Sequence, residues 1–120
     1  MTIDKAIQIH QELSNLLTLE FKMRSRIRCE VALADFQTIY NSVMGRKDDI
    51  IKKLTKSPEG IPQFVDEKLN PLFVKFAEKY AEVLNEEIDS PTQLSLISED
   101  FDGIITGIRI PNLAAWANWE

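Results

Sequence analysis

The sequence predicts an α+β fold that is mostly α: three main helices, a small antiparallel sheet and a short C-terminal helix. Three observations lead there. Apolar residues recur three and four apart over three long stretches, the mark of helices with one buried face. Three short stretches alternate or are β-branched, as strands are. Only five Pro and four Gly interrupt 120 residues, so long irregular segments should be rare. A chain of this length, 44% hydrophobic, reads as a single domain over residues 1–120 with an ordinary core.

Thr2 is placed to cap the first helix, and Asp4 puts a negative charge in its first turn, where the helix dipole favours it. Ile3, Ala6, Ile7, Leu13, Leu16 and Leu17 follow at helical spacing, predicting a helix over about residues 3–16. The next stretch, LTLEFKMRSRIRCEVAL (17–33), alternates instead. Leu17, Leu19, Phe21, Met23, Ile27, Cys29, Val31 and Leu33 occupy odd positions, and Lys22, Arg24, Arg26 and Arg28 occupy even ones. From Leu33 the period is helical again, through Phe36, Tyr40, Val43 and Met44. The assignment is a short strand over 17–23 burying Leu17, Leu19, Phe21 and Met23, then a long helix from about Ser25 to Thr55. Gly45 is a point where that helix could kink.

Ser57-Pro58-Glu59-Gly60-Ile61-Pro62 is the clearest break, with Pro62 starting a new helical piece. Asn70 caps the third main helix and Pro71 takes its first position. Leu72, Phe73, Phe76, Ala77, Tyr80, Val83 and Leu84 give it a wide apolar face over 71–87. QLSLI (93–97) reads as a strand. SEDFDG (98–103) reads as one helical turn capped by Ser98 and closed by Gly103, with its acids solvated. IITGIRI (104–110) reads as another strand, and LAAWANW as a short closing helix.

The chemistry is defined mostly by what is missing. One Cys excludes an internal disulfide, and one His with one Cys cannot make a structural zinc site. His10 and Cys29 lack any motif that would make them a catalytic dyad. SEDFDG resembles a calcium loop only in part: counted from Ser98, the position needing a bidentate Glu is Arg109. There is no phosphate-binding loop, GxSxG or HExxH. The expectation is a protein that is not an enzyme, with no catalytic residue, metal or cofactor. MTIDKAIQIHQEL lacks the order of a secretion signal, and no apolar run approaches the roughly 18 residues of a membrane span. A cytoplasmic protein without membrane contact is expected.

Charge is uneven. Residues 1–56 hold ten Lys and Arg against seven Asp and Glu; residues 57–120 hold four against twelve. The cations Lys22, Arg24, Arg26 and Arg28 are the only nucleic-acid candidates, spaced to follow phosphates if they lie on a strand. They carry no interleaved aromatic, and the pI of about 4.9 argues against general nucleic-acid affinity. A solvated face pairing with the acidic half is the preferred reading. A protein partner is expected instead, with a homo-oligomer as the alternative. Its candidate contacts are Trp116 and Trp119 together with the carboxylates Glu82, Glu86, Glu87, Asp89, Asp100 and Asp102. Tryptophans near a chain end either complete the core or form a binding hot spot.

The order of elements resembles a group of small uncharacterised proteins encoded by tailed bacteriophages. The pattern is an N-terminal helix, LTLEFKM, a long helix ending in GRKDDIIKKL, a helix rich in Phe, Glu and Lys, then QLSLISEDFDGIITGIRIPNL. The group has no settled activity, so the resemblance transfers no functional residue, and the Trp-bearing end departs from its pattern. It implies a phage or prophage setting in a bacterial cytoplasm. There, the expected function is an accessory protein that engages and inhibits or redirects a host or defence protein. A virion-assembly protein acting by self-association is the alternative, and weak nucleic-acid binding through Lys22–Arg28 the third reading.

Overall fold

A computed structural model describes residues 1–57, 59–103 and 109–120. Helix α1 (Ile3–Leu16) is capped by Thr2, whose hydroxyl accepts from the Lys5 amide. Helix α2 (Met23–Leu54) follows after a six-residue turn, runs unbroken through Gly45 and packs closely against α1. A two-residue hairpin, β1 (Phe64–Val65) with β2 (Lys68–Leu69), leads into α3 (Pro71–Leu84). Asn70 caps α3 by accepting from the Leu72 amide, with Pro71 at the first position. Strand β3 (Ser95–Leu96), a 3₁₀ turn (Ser98–Phe101), helix α4 (Pro111–Trp116) and β4 (Asn118–Trp119) complete the described chain. The mostly helical fold with three main helices, a short C-terminal helix and small two-stranded sheets is the predicted class.

Five local assignments are corrected. Residues 17–23 form no strand. Arg26, one turn into α2, donates to the carbonyls of Leu17 and Leu19, both at 3.0 Å, and holds the segment as a turn. Leu17, Leu19 and Phe21 still pack on the core, but Met23 is 65% exposed. The segment after Pro62 is the β1–β2 hairpin rather than a helical piece. The closing helix stops at Trp116, because Asn118 and Trp119 pair with β3 in parallel. Ser98 makes no capping hydrogen bond in the 3₁₀ turn, and Asp100 in that turn is buried rather than solvated. Of the predicted strand over 104–110, residues 104–108 lie outside the described residues, and Arg109 and Ile110 are not in a strand.

The core gathers at one end of the molecule. Ile9, Leu13 and Leu16 of α1, Cys29 and Phe36 of α2, and Leu96, Phe101 and Leu113 are buried together. A smaller cluster of Ile3, Val43 and Val83 joins α1, α2 and α3. Beyond Val43, α2 has no fully buried residue, and Val83 is the only one in α3. The outer third of α2, the hairpin and the start of α3 therefore form an arm. The radius of gyration is 17.7 Å, against about 14 Å for a compact domain of this length. The long axis is 52 Å.

Candidate functional site

The four cations that alternate in sequence are dispersed by α2. Arg24 meets Asp100 through two hydrogen bonds, Nε to Oδ2 at 2.8 Å and Nη2 to Oδ1 at 2.6 Å. The Ser25 hydroxyl donates to Asp100 Oδ2 at 2.5 Å, and Lys22 Nζ lies 3.9 Å from Oδ1. Arg26 pairs with Glu30 at 3.2 Å and stacks 5.8 Å from the Phe21 ring, besides holding Leu17 and Leu19. Arg28 donates to the Ser95 carbonyl at 3.1 Å. The stripe spaced to follow phosphates is thus absent as a single face. A carboxylate in the first turn of a helix is favourable, and α2 has no acid of its own there. Asp100 supplies it from across the fold. The hydrogen bonds from Arg24 and Ser25, with the charges of Arg24 and Lys22, hold the Asp100 carboxyl well below the usual carboxylate range.

The acidic run divides in the same way. Glu86 forms a two-pronged pair with Arg46 at 2.7 and 2.8 Å, which lowers its carboxyl from the ordinary range. Glu87 lies 3.1 Å from the amine of Met1. Glu82 lines a shallow hollow with Arg46, Lys53 and Lys79, while Asp89 and Asp102 are exposed. Both tryptophans dock. Trp116 packs edge-on against Phe36 at 5.0 Å and donates its indole N–H to Ser90 Oγ; Trp119 packs edge-on against Phe101 at 5.8 Å and donates to the Ala114 carbonyl.

His10 and Cys29 are engaged in packing. His10 stacks on Tyr40 with centroids 4.5 Å apart, and its Nε2 lies 2.8 Å from Gln37 Oε1. Cys29 is fully buried, and loss of water pushes its thiol up to about 11. Among the described residues, no group of three or more His, Cys, Asp or Glu could hold a metal, and no helix is long and apolar enough to cross a membrane.

What the structure brings together instead is apolar surface, at opposite ends of the long axis. At the core end, Met23, Ile27 and Val31 are 65%, 52% and 61% exposed. Their spacing of four puts them on one face of α2, away from the buried Ser25, Cys29, Ala32 and Phe36. A groove of about 350 Å³ runs beside them, bounded by Ile27, Val31, Leu94 and Ser95, with Arg28 and Asp35 also lining it. At the arm end, Phe64, Val65 and Leu69 of the hairpin are 58%, 49% and 52% exposed, next to Leu72 and Val74 of α3. The hairpin turns on Asp66 and Glu67, both in the left-handed region (φ 51° and 65°), so two carboxylates sit at its tip. Asn70 ties its base: the amide donates to the Gln63 carbonyl and the side chain to Pro62, both at 2.9 Å.

Sequence reasoning missed both surfaces. The first was legible as a helix with two apolar faces, 29/32/36 and 23/27/31, hidden because most of the same residues also alternate. The second had no signal, since Asp-Glu is not a pair that usually makes a tight hairpin. No protein-family model, curated protein or solved structure matches the chain.

Proposed function

We propose that this protein is a non-enzymatic protein-interaction module that works through the two exposed apolar surfaces. One observation carries the reading: six large apolar side chains, about half exposed or more, stand on α2 and the hairpin in two clusters rather than scattered. Contiguous exposed apolar patches on soluble proteins mark interaction sites, whereas isolated exposed residues do not. Polar rims support the reading: Arg28 and Asp35 beside one surface, Asp66 and Glu67 beside the other. The tryptophans contribute indirectly, by holding the 3₁₀ turn and β3 against α2.

The finer proposal is an accessory factor that engages and inhibits or redirects a host or defence protein in a phage-infected bacterium. It rests on the resemblance of the sequence. Affinity capture from a bacterial lysate tests it with the wild type and with Val31→Glu and Leu69→Glu. The expected result is a stoichiometric protein recovered by the wild type and lost with at least one variant. Equal recovery by all three would count against these surfaces, and recovery of nothing would count against a host partner.

A further inference from the structure

We infer that the two apolar surfaces are the halves of one contact between copies of this chain: the β1–β2 hairpin of one molecule seats on the Met23–Ile27–Val31 face of the next. This deepens the interaction reading and rests on it.

The two surfaces match in size. From Met23 to Val31 is eight residues of helix, about 12 Å at 1.5 Å per residue. The hairpin of two two-residue strands and a two-residue turn is about 10 Å long at roughly 3.4 Å per strand residue. Phe64 and Leu69, paired across the hairpin and so on one face of it, offer apolar side chains to the groove that Ile27, Val31 and Leu94 bound.

They also match in charge. Arg28 borders the groove and spends its hydrogen bond on a neutral carbonyl, so its positive charge meets no carboxylate in that contact. Arg24 and Lys22 share the single carboxylate of Asp100, with Glu99 near Arg24. The hairpin carries Asp66 and Glu67 at its tip, acids that complement the positive charge of Arg28 at the groove.

Geometry excludes closure within one molecule. The face lies at the N-terminal end of α2 and the hairpin beyond its C-terminal end, on a body 52 Å long. The contact is heterologous, head to tail, so it propagates into chains or closes into a ring. A contact of this size, small beside the roughly 800 Å² per partner of a standard interface, makes assembly steeply dependent on concentration.

Complementation in the ultracentrifuge tests the contact. Ile27→Glu breaks the accepting face and leaves the hairpin; Phe64→Glu breaks the hairpin and leaves the face. The wild type is expected to grow beyond a dimer as concentration rises, and each variant alone to stay monomeric. Their equimolar mixture is expected to form one heterodimer and nothing larger, because only one intact contact can form. Val31→Glu with Leu69→Glu provides a second pair if either first variant fails to fold by circular dichroism. A wild type that stays monomeric at every concentration overturns the inference. A mixture that stays monomeric overturns it too, since a symmetric contact is not restored this way. Either failure leaves the lysate capture to decide the interaction reading separately, because that experiment scores a different protein.

Discussion

Asp100 shows how a single residue can join distant parts of the chain. It lies in a 3₁₀ turn 75 positions from Ser25, yet it completes the start of α2. Glu12 does the same for α4. Its carboxylate accepts from the amides of Asn112 (2.9 Å) and Leu113 (3.2 Å), the first free amides of a helix whose own capping position is Ile110. Both helices therefore begin without a local capping side chain and borrow an acid from elsewhere. Neither acid could be read from sequence, because the capping rules look a few residues along the chain and these partners are 75 to 101 apart. The pH consequence belongs to Asp100. Its carboxyl is lowered in the folded chain, so its contribution is complete above the ordinary range near about 3.9 and is lost as pH falls through and below it. Asp100→Asn should lower the melting temperature by several degrees at neutral pH and make the loss of stability below about pH 4 shallower. An unchanged acid limb in a pH series of thermal melts would contradict this.

At the scale of elements, α1 and α3 were legible because their caps, spacing and breaks agree. Thr2, Asn70 and Pro71 sit where local rules put them. The start of α2 was not, because residues 17–33 satisfy both periods. The helix wins for a tertiary reason: from Met23, helical turns bury Cys29, Ala32 and Phe36 against α1, and Arg26 satisfies the carbonyls of the turn behind it. Parallel pairing of β3 with β4 was equally hidden, since WANW continues the helical spacing of α4. In the hairpin, the structure holds two non-glycine residues in the left-handed region. That conformation costs roughly 1–2 kcal/mol per residue outside glycine, asparagine and aspartate. Glu67→Gly should therefore raise stability, by up to about 1 kcal/mol after the entropy that glycine loses on folding. Urea unfolding measures it; a loss of stability would mean that the Glu67 side chain makes a contact the turn depends on.

At the scale of the whole molecule, an α2 of 32 residues is longer than its core. The excess carries the arm, the arm carries the hairpin, and apolar side chains are left exposed at both ends. The sequence carried no motif that pointed to a reaction, and its charge pattern directed attention to the cations, the acids and the tryptophans. The folded chain spends most of those internally: Arg24 on Asp100, Arg46 on Glu86, Trp116 on Phe36 and Trp119 on Phe101. The surface left uncommitted at both ends is the apolar one, which the proposed function gives to a partner. On the proposed reading, these exposed side chains serve association and do not hold the fold. Thermal melting of the Ile27→Glu, Phe64→Glu double variant, at a concentration where the wild type is dispersed, tests it most directly. Exposed substitutions change stability by roughly 0.5 kcal/mol or less, so the melting temperature should stay within about 4 °C of the wild type. A drop of roughly 10 °C or more, the scale of a lost core contact, would mean that these side chains hold the fold.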